Sequence, residues 1–308
     1  MARPGTDVSR GLAFALTSAL TFALSGPFAR ALMDAGWTPT AAVIARLAGG
    51  AVALAVVATV VRPRWFAEAR RHARTVVLYG LIPIAGAQLC YYNAVAHLSV
   101  GVALLLEYTA PILVVGWIWL TTRRRPHTGT LAGMLLAIAG IMLVLNIFGT
   151  ESTRVNATGV LWASAAAVCA ACYFMMSDTG AGNADQESLH PLTLATGGLL
   201  VGGAAVTALG LTGIMPLAFG TADVTVAGVT APWFAAVVVL GLFSTAVAYT
   251  LGIAGVALLR PGFASLVGLS EVLFAVLWAR LLIGEAMTPV QVIGAAVVLF
   301  GLVLARPR

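Results

Sequence analysis

Apolar runs about twenty residues long recur from one end of this chain to the other, and that pattern limits its fold more than anything else. A helix crossing bilayer hydrocarbon needs roughly 20 such residues. Ten runs are of that order, at 11–33, 39–61, 75–96, 101–121, 129–148, 158–178, 190–212, 232–256, 261–283 and 289–305. Pro39, Pro191, Pro232, Pro261 and Pro289 stand where a first-turn proline starts a helix. Barrel strands would be shorter and would alternate polar with apolar, which these runs do not. A soluble chain is roughly 25% charged, whereas this one is 9% charged and 60% hydrophobic. It lacks the polar side chains to coat a globule. The sequence predicts an all-α integral membrane protein with ten transmembrane helices.

All seventeen basic residues are arginine, and the formal net charge is +6. Their placement answers to a membrane rather than to nucleic acid. With the N-terminus inside, thirteen fall in cytoplasmic segments: Arg3, Arg10, Arg62, Arg64, Arg70, Arg71, Arg74, Arg123, Arg124, Arg125, Arg260, Arg306 and Arg308. Arg30, Arg154 and Arg280 fall on the other side, and Arg46 lies inside a helix. The positive-inside rule therefore puts both termini in the cytoplasm. The run at 11–33 has the look of a signal peptide, but its likeness to 158–178 argues that it is retained. Cys169 and Cys172 have redox or metal spacing without a His or further Cys nearby, so they read as small apolar residues.

The chain repeats itself. A shift of 161 residues lays 76–143 on 237–304 without a gap, with Gly80 on Gly241, Gly101 on Gly262, Trp117 on Trp278, Gly133 on Gly294 and Gly140 on Gly301. The first helices match more loosely, Gly11 against Gly159 and Pro39 against Pro191. The expected halves are 1–150 and 151–308, each with five helices. An odd number forces the second copy to lie inverted relative to the first. Inverted bundles that exchange conformations open a midplane site first to one face and then to the other, which is the construction of a transporter. Pro27, Pro83 and Pro111 interrupt helices rather than start them, and are tolerated where the freed carbonyl faces protein or a wet cavity.

Charges inside the runs are few. Arg46 and Glu107 enter their helices from the same face to similar depth, and such residues cost ~2.5–3.5 kcal/mol each at a helix centre. Two readings stay open: an Arg46–Glu107 pair acting partly as an extracellular gate, or Arg46 snorkelling to the surface. Glu271 lies deeper, as either a proton-coupling group or a structural hydrogen-bond partner. Gln88, Tyr92 and Asn93 form a polar stripe on the third run; Gln88 and Pro83 fall by the repeat on Tyr249 and Ser244 of the eighth. With Tyr108 and Trp162 they predict a substrate cavity lined by aromatics and a few hydrogen-bonding groups. Tyr79, Trp65 and Trp233 are assigned to the interfacial aromatic belt. HExxH, GxSxG and Walker motifs do not occur, and the chain has no lysine, so no catalytic constellation emerges and no cofactor is implied.

These residues resemble a family. Gly284-Glu285-Ala-Met-Thr288-Pro-Val-Gln291-Val-Ile-Gly294 is similar to the motif that closes each domain of the two-EamA-domain group of the drug/metabolite transporter superfamily. Glu271 matches an acidic residue frequent in that family, with Val272 where proline is common. Leu106 to Pro111 and Ser244 to Tyr249 resemble its threonine/homoserine-exporter branch. The resemblance implies a ten-helix exporter of the bacterial inner membrane that needs no ATP and moves amino acids or related metabolites. The alternative is a broader drug or metabolite exporter, with a channel or structural membrane protein as the more distant class. Expected partners are a small-molecule substrate and the bilayer, with no nucleic acid, in a monomer or homodimer.

Overall fold

Prolines decide where the apolar runs begin and, at several places, where they break. The computed structural model describes residues 4–98, 100–144, 156–178, 189–283 and 289–305. Arg154, Glu285 and most of the 284–294 motif lie outside the described residues or have side chains that do.

The first run is α1 (Pro4–Phe22) and α2 (Ser25–Asp34). They part at Ala23 and Leu24 because Pro27 has no N–H for the Ala23 carbonyl. α3 (Pro39–Val61) is unbroken, and α4 (Trp65–Arg71) is a short connecting helix. The third run is α5 (Ala73–Tyr79), a π-helical stretch Gly80–Gly86 around Pro83, and α6 (Ala87–His97). The fourth is split at Tyr108 and Thr109 into α7 (Val100–Glu107) and α8 (Ala110–Thr122), ahead of Pro111. α9 (Thr128–Val144), α10 (Ala157–Met176) and α11 (Pro191–Leu211) follow. The eighth run is α12 (Trp233–Val238), a second π-helical stretch Val239–Val247, and α13 (Ala248–Leu259). The last are α14 (Pro261–Gly268), α15 (Ser270–Ile283) and α16 (Pro289–Leu304).

Seven of these helical stretches are long and apolar enough to cross a membrane, and three shorter apolar helices lie at Thr128–Leu143, Pro261–Ala275 and Val292–Leu304. Against a purely helical expectation there is one hairpin among the described residues. β1 (Val224–Val226) pairs antiparallel with β2 (Val229–Ala231), turning through Ala227 and Gly228 at φ 59° and 73°. The run of Val and Thr residues has β propensity, and the turn pair takes the left-handed backbone a tight hairpin needs.

The repeat is legible in the coordinates down to the breaks. Shifted by 161, α7 falls on α14 residue for residue, and the π-helical stretch at 80–86 falls within the one at 239–247. The eighth and ninth runs take these shapes without a proline, since Ser244 and Val272 stand where the first copy has Pro83 and Pro111.

Contacts between the halves come in reciprocal pairs. A methyl on Gly301 would sit 2.6 Å from the Gly133 carbonyl, and one on Gly140 would sit 2.8 Å from the Gly294 carbonyl. Each contact is the repeat image of the other, and α9 and α16 run antiparallel along it with Ala137 and Val298 fully buried at its centre. The same holds elsewhere: Gly11 packs on Leu259, and its counterpart Gly159 packs on Leu98. The first helix of each half thus lies on the third helix of the other. Small residues at these crossings let backbones close to van der Waals contact, the main attraction available between helices in lipid.

The largest buried cluster joins α3, α11 and the π-helical stretches through Leu47, Leu199, Ile84 and Leu240. Tyr79 belongs to it, which corrects its assignment to the membrane interface. It is fully buried and its hydroxyl shares a 2.9 Å hydrogen bond with Ser177. Tyr79 also fills the space above Gly198, the position that the Pro39–Pro191 offset equates with Arg46.

Candidate functional site

A guanidinium in a membrane helix must find hydrogen-bond acceptors or stay out of the core. Arg46, only 3% exposed, finds three. Nε donates to the Thr245 hydroxyl at 2.9 Å, Nη1 to Gln88 Oε1 at 2.9 Å, and Nη2 to the Ser244 carbonyl at 2.9 Å. Two of these acceptors come from the π-helical stretch of the other half, whose wider register frees a main-chain carbonyl. Arg46 therefore neither snorkels nor pairs with Glu107. The depth argument that coupled the two charges fails because Arg46 faces the eighth run, across the repeat interface.

Accepting from Arg46 fixes the Gln88 amide so that its nitrogen faces Tyr249, to whose hydroxyl it donates at 3.5 Å. Gln88 and Tyr249 are repeat counterparts, so this bond crosses the relation between the halves. The Arg46 guanidinium also lies 5.8 Å from the Phe22 ring centre, and Phe22 meets Tyr249 edge-on at 5.0 Å.

These side chains wall a cavity of about 460 Å³. Its lining follows the repeat. Gln88 and Tyr249, Tyr91 and Gly252, Leu104 and Ser265, Glu107 and Gly268, Tyr108 and Leu269, Ala110 and Glu271 all line it, each pair 161 residues apart. With the looser offset of the first helices, Phe22 and Ala170, Ser25 and Tyr173, Gly26 and Phe174 do so too. Position is symmetric while chemistry is not. At Phe22, Tyr91 and Glu107 the first half places bulk or charge where the second has glycine or alanine, and at Phe174 and Glu271 the order reverses. The cavity thereby holds one buried guanidinium, that of Arg46, and two carboxylates within an aromatic wall.

Among the described residues, the helix breaks within the apolar runs, at Ala23, Tyr108 and Leu269, border it. Trp278 Nε1 donates to the Leu20 carbonyl at 2.9 Å near the first break. The cavity reaches the surface at Met33 and at Arg30, whose side chain is 66% exposed and pairs with Asp34 at 3.0 Å. Its other end stops on buried Val256, Ala264 and Ser265. Beneath lie Leu259, Phe263, Leu12 and Val8 in one apolar cluster, and Arg260 approaches Asp178 at 3.9 Å. The lining is thus exposed at its Arg30 end and buried at its Val256 end.

Of the residues singled out from sequence, Gln88, Tyr92, Tyr108, Tyr249, Arg46, Glu107 and Glu271 line the cavity. Asn93 does not: its amide turns back to the Leu89 carbonyl at 2.7 Å. Trp162 packs instead with Ala94, Leu98 and Ala103. Ser244 is fully buried and contributes only its carbonyl, through Arg46. Sequence reasoning overlooked Ser18, Phe22, Tyr173, Phe174 and Ser265. The offset between the first and sixth runs carried the signal for three of them, since Phe22 has Ala170 as its counterpart, Tyr173 has Ser25 and Phe174 has Gly26.

Comparison with known proteins agrees with this architecture. The model of the EamA-like transporter family matches residues 9–146 and again 157–306. The threonine/homoserine exporter RhtA of Escherichia coli K12 is 28% identical over 240 residues, covering 76% of this chain and 72% of its own. The uncharacterized inner membrane transporter YicL of Salmonella typhimurium LT2 is 21% identical over 235 residues, covering 76% and 73%. A crystal structure of a protein only 20% identical superposes over 96% of this chain and 95% of its own with a TM-score of 0.75, which shows the shared fold. This chain is a membrane protein of the EamA-like transporter family, carrying the family's domain twice.

Proposed function

We propose that this protein is a secondary exporter of amino acids or closely related zwitterions, working by alternating access in a bacterial inner membrane. In this reading all ten apolar runs span, residues 1–150 and 151–308 form two inverted halves, and both termini are cytoplasmic. The observation that carries it is a cavity on the repeat relation whose wall holds the buried Arg46 guanidinium and the carboxylates of Glu107 and Glu271, with exposed Arg30 at its mouth. A channel would need both ends open, and an enzyme would need a catalytic dyad that these side chains do not form.

Arg46 is the carboxylate anchor. Three of its five N–H groups are committed to Thr245, Gln88 and Ser244, and the guanidinium also bonds the Tyr92 hydroxyl, which leaves one for a ligand beside Tyr92. Glu107 and Glu271 bind the substrate ammonium and carry the coupling proton. The substrate ammonium and the coupling proton compete for the same two carboxylates, which ties occupancy to protonation. The similarity to a threonine/homoserine exporter favours small amino acids. A second reading, export of a wider range of amphiphiles, rests on the apolar part of the wall, Phe22, Met33, Leu104 and Phe174.

The test is efflux from proteoliposomes preloaded with labelled amino acids, with and without a pH gradient. Saturable efflux accelerated by the gradient, with Glu271→Gln abolishing the acceleration, is the expected result. If the folded protein moves no amino acid but moves amphiphilic amines, the second reading takes its place.

A further inference from the structure

The deep end of the cavity carries hydrogen-bonding capacity that the protein itself leaves unused. The Tyr173 hydroxyl is buried and has no hydrogen-bond partner, although it belongs to the cavity wall. It lies directly against Gly252, where a Cβ would collide with it, and the same missing Cβ would sit 2.8 Å from the Ser18 hydroxyl. Gly252 therefore makes the room that the Tyr173 hydroxyl occupies, with the Ser18 hydroxyl bordering the same spot.

Ser18 donates its proton to the Ala248 carbonyl at 2.8 Å, and Ser265, also in the wall, donates to the Gly262 carbonyl at 3.0 Å. Both serine oxygens retain only acceptor capacity toward a ligand. Tyr173 supplies a free donor as well. Tyr173 is held rigidly, edge-on against Tyr249 at 5.8 Å and Phe174 at 5.1 Å, so its hydroxyl does not swing away to find water. Tyr249 stands between this hydroxyl cluster and the Arg46–Gln88 pair, separating an ionic end of the cavity from a neutral polar end.

We propose that Tyr173, seconded by Ser18, is the specificity-determining residue: it reads a hydroxyl or amide at the end of the substrate side chain. This rests on the amino-acid reading above and deepens it. A buried polar group left unpaired penalises any ligand that fails to satisfy it. A site built to bond a substrate hydroxyl rejects the analogue without one far more strongly than an apolar pocket rejects an extra hydroxyl.

The experiment compares isosteres in proteoliposomes, L-homoserine against L-norvaline and L-serine against L-2-aminobutyrate, in wild type, Tyr173→Phe and Ser18→Ala. Wild type is expected to prefer each hydroxylated member by about tenfold or more in kcat/KM. Tyr173→Phe should bring that ratio to within about threefold by improving the methyl isostere. Binding of the same four ligands to purified protein is the second readout, independent of turnover. No preference in wild type, or a preference that survives Tyr173→Phe, overturns the inference and leaves the exporter reading standing. If wild type neither binds nor moves any of the four amino acids, the exporter reading fails and this inference with it.

Discussion

Arg46 anchors the account at the scale of single residues. Its guanidinium is planar and forked, and its three bonds to Thr245, Gln88 and Ser244 use that shape. Lysine cannot reproduce them, so Arg46→Lys should lower amino-acid binding by about tenfold or more, roughly 1.4 kcal/mol, as measured by titration of purified protein. Glu68 offers a separate test outside the spanning helices. It accepts from the His190 N–H at 2.8 Å and the Thr193 hydroxyl at 2.7 Å, and pairs with Arg62 at 3.5 Å. Burial works against its charge, but these bonds outweigh it and hold the carboxyl below the usual value of 4.5. A depressed folded-state value stabilises the protein above the ordinary carboxylate range, and that stability is lost as pH falls through the folded value. Glu68→Gln should therefore lower thermal stability at neutral pH, with the gap to wild type closing below about pH 4. Sequence identified most of the cavity's charged and aromatic residues because ionisable groups are conspicuous in apolar helices. Arg46's true partners were hidden because Thr245 and Ser244 lie nearly two hundred positions away and carry no charge.

Helices carry the second scale. Their starts were legible because proline marks them, and α3, α11 and α16 begin at Pro39, Pro191 and Pro289 as expected. The π-helical stretches were not legible, since a change of hydrogen-bond register leaves hydropathy untouched. Nor was the hairpin at 224–231, which falls in a connection that apolar periodicity does not address. The broken ninth run yields a prediction. Val272 sits in the first turn of α15, at the position equivalent to Pro111, where proline is tolerated. Val272→Pro should be nearly silent in stability and transport, whereas Ala137→Pro in the middle of α9 should cost about 3 kcal/mol or more. Thermal unfolding in detergent checks both. The glycine crossing of α9 on α16 is equally exposed to test. Gly133→Leu should separate the two helices, because the added side chain meets the Gly301 carbonyl and Ala305 directly. Its signature would be reduced thermal stability without any change in ligand selectivity.

The whole molecule is two similar halves whose contacts mirror one another and whose shared cavity is chemically lopsided. The repeat was legible because glycines and tryptophans recur at a constant offset. The sealed end was not, because Val256, Leu259 and Phe263 look like any other apolar residues in a chain made of them. The central claim is that this one cavity opens to each side in turn. Impermeant maleimide labelling of substituted cysteines tests it most directly, in a background where Cys90, Cys169 and Cys172 are replaced. Ser25→Cys reports the open end and Val256→Cys the sealed end, with labelling from outside and from the cytoplasmic side compared in oriented vesicles. The account predicts Ser25→Cys labelled from outside at rest with Val256→Cys protected, and a reciprocal exchange under an inward-directed pH gradient with substrate present. Simultaneous labelling of both positions under every condition, or permanent protection of Val256→Cys during active efflux, would contradict it.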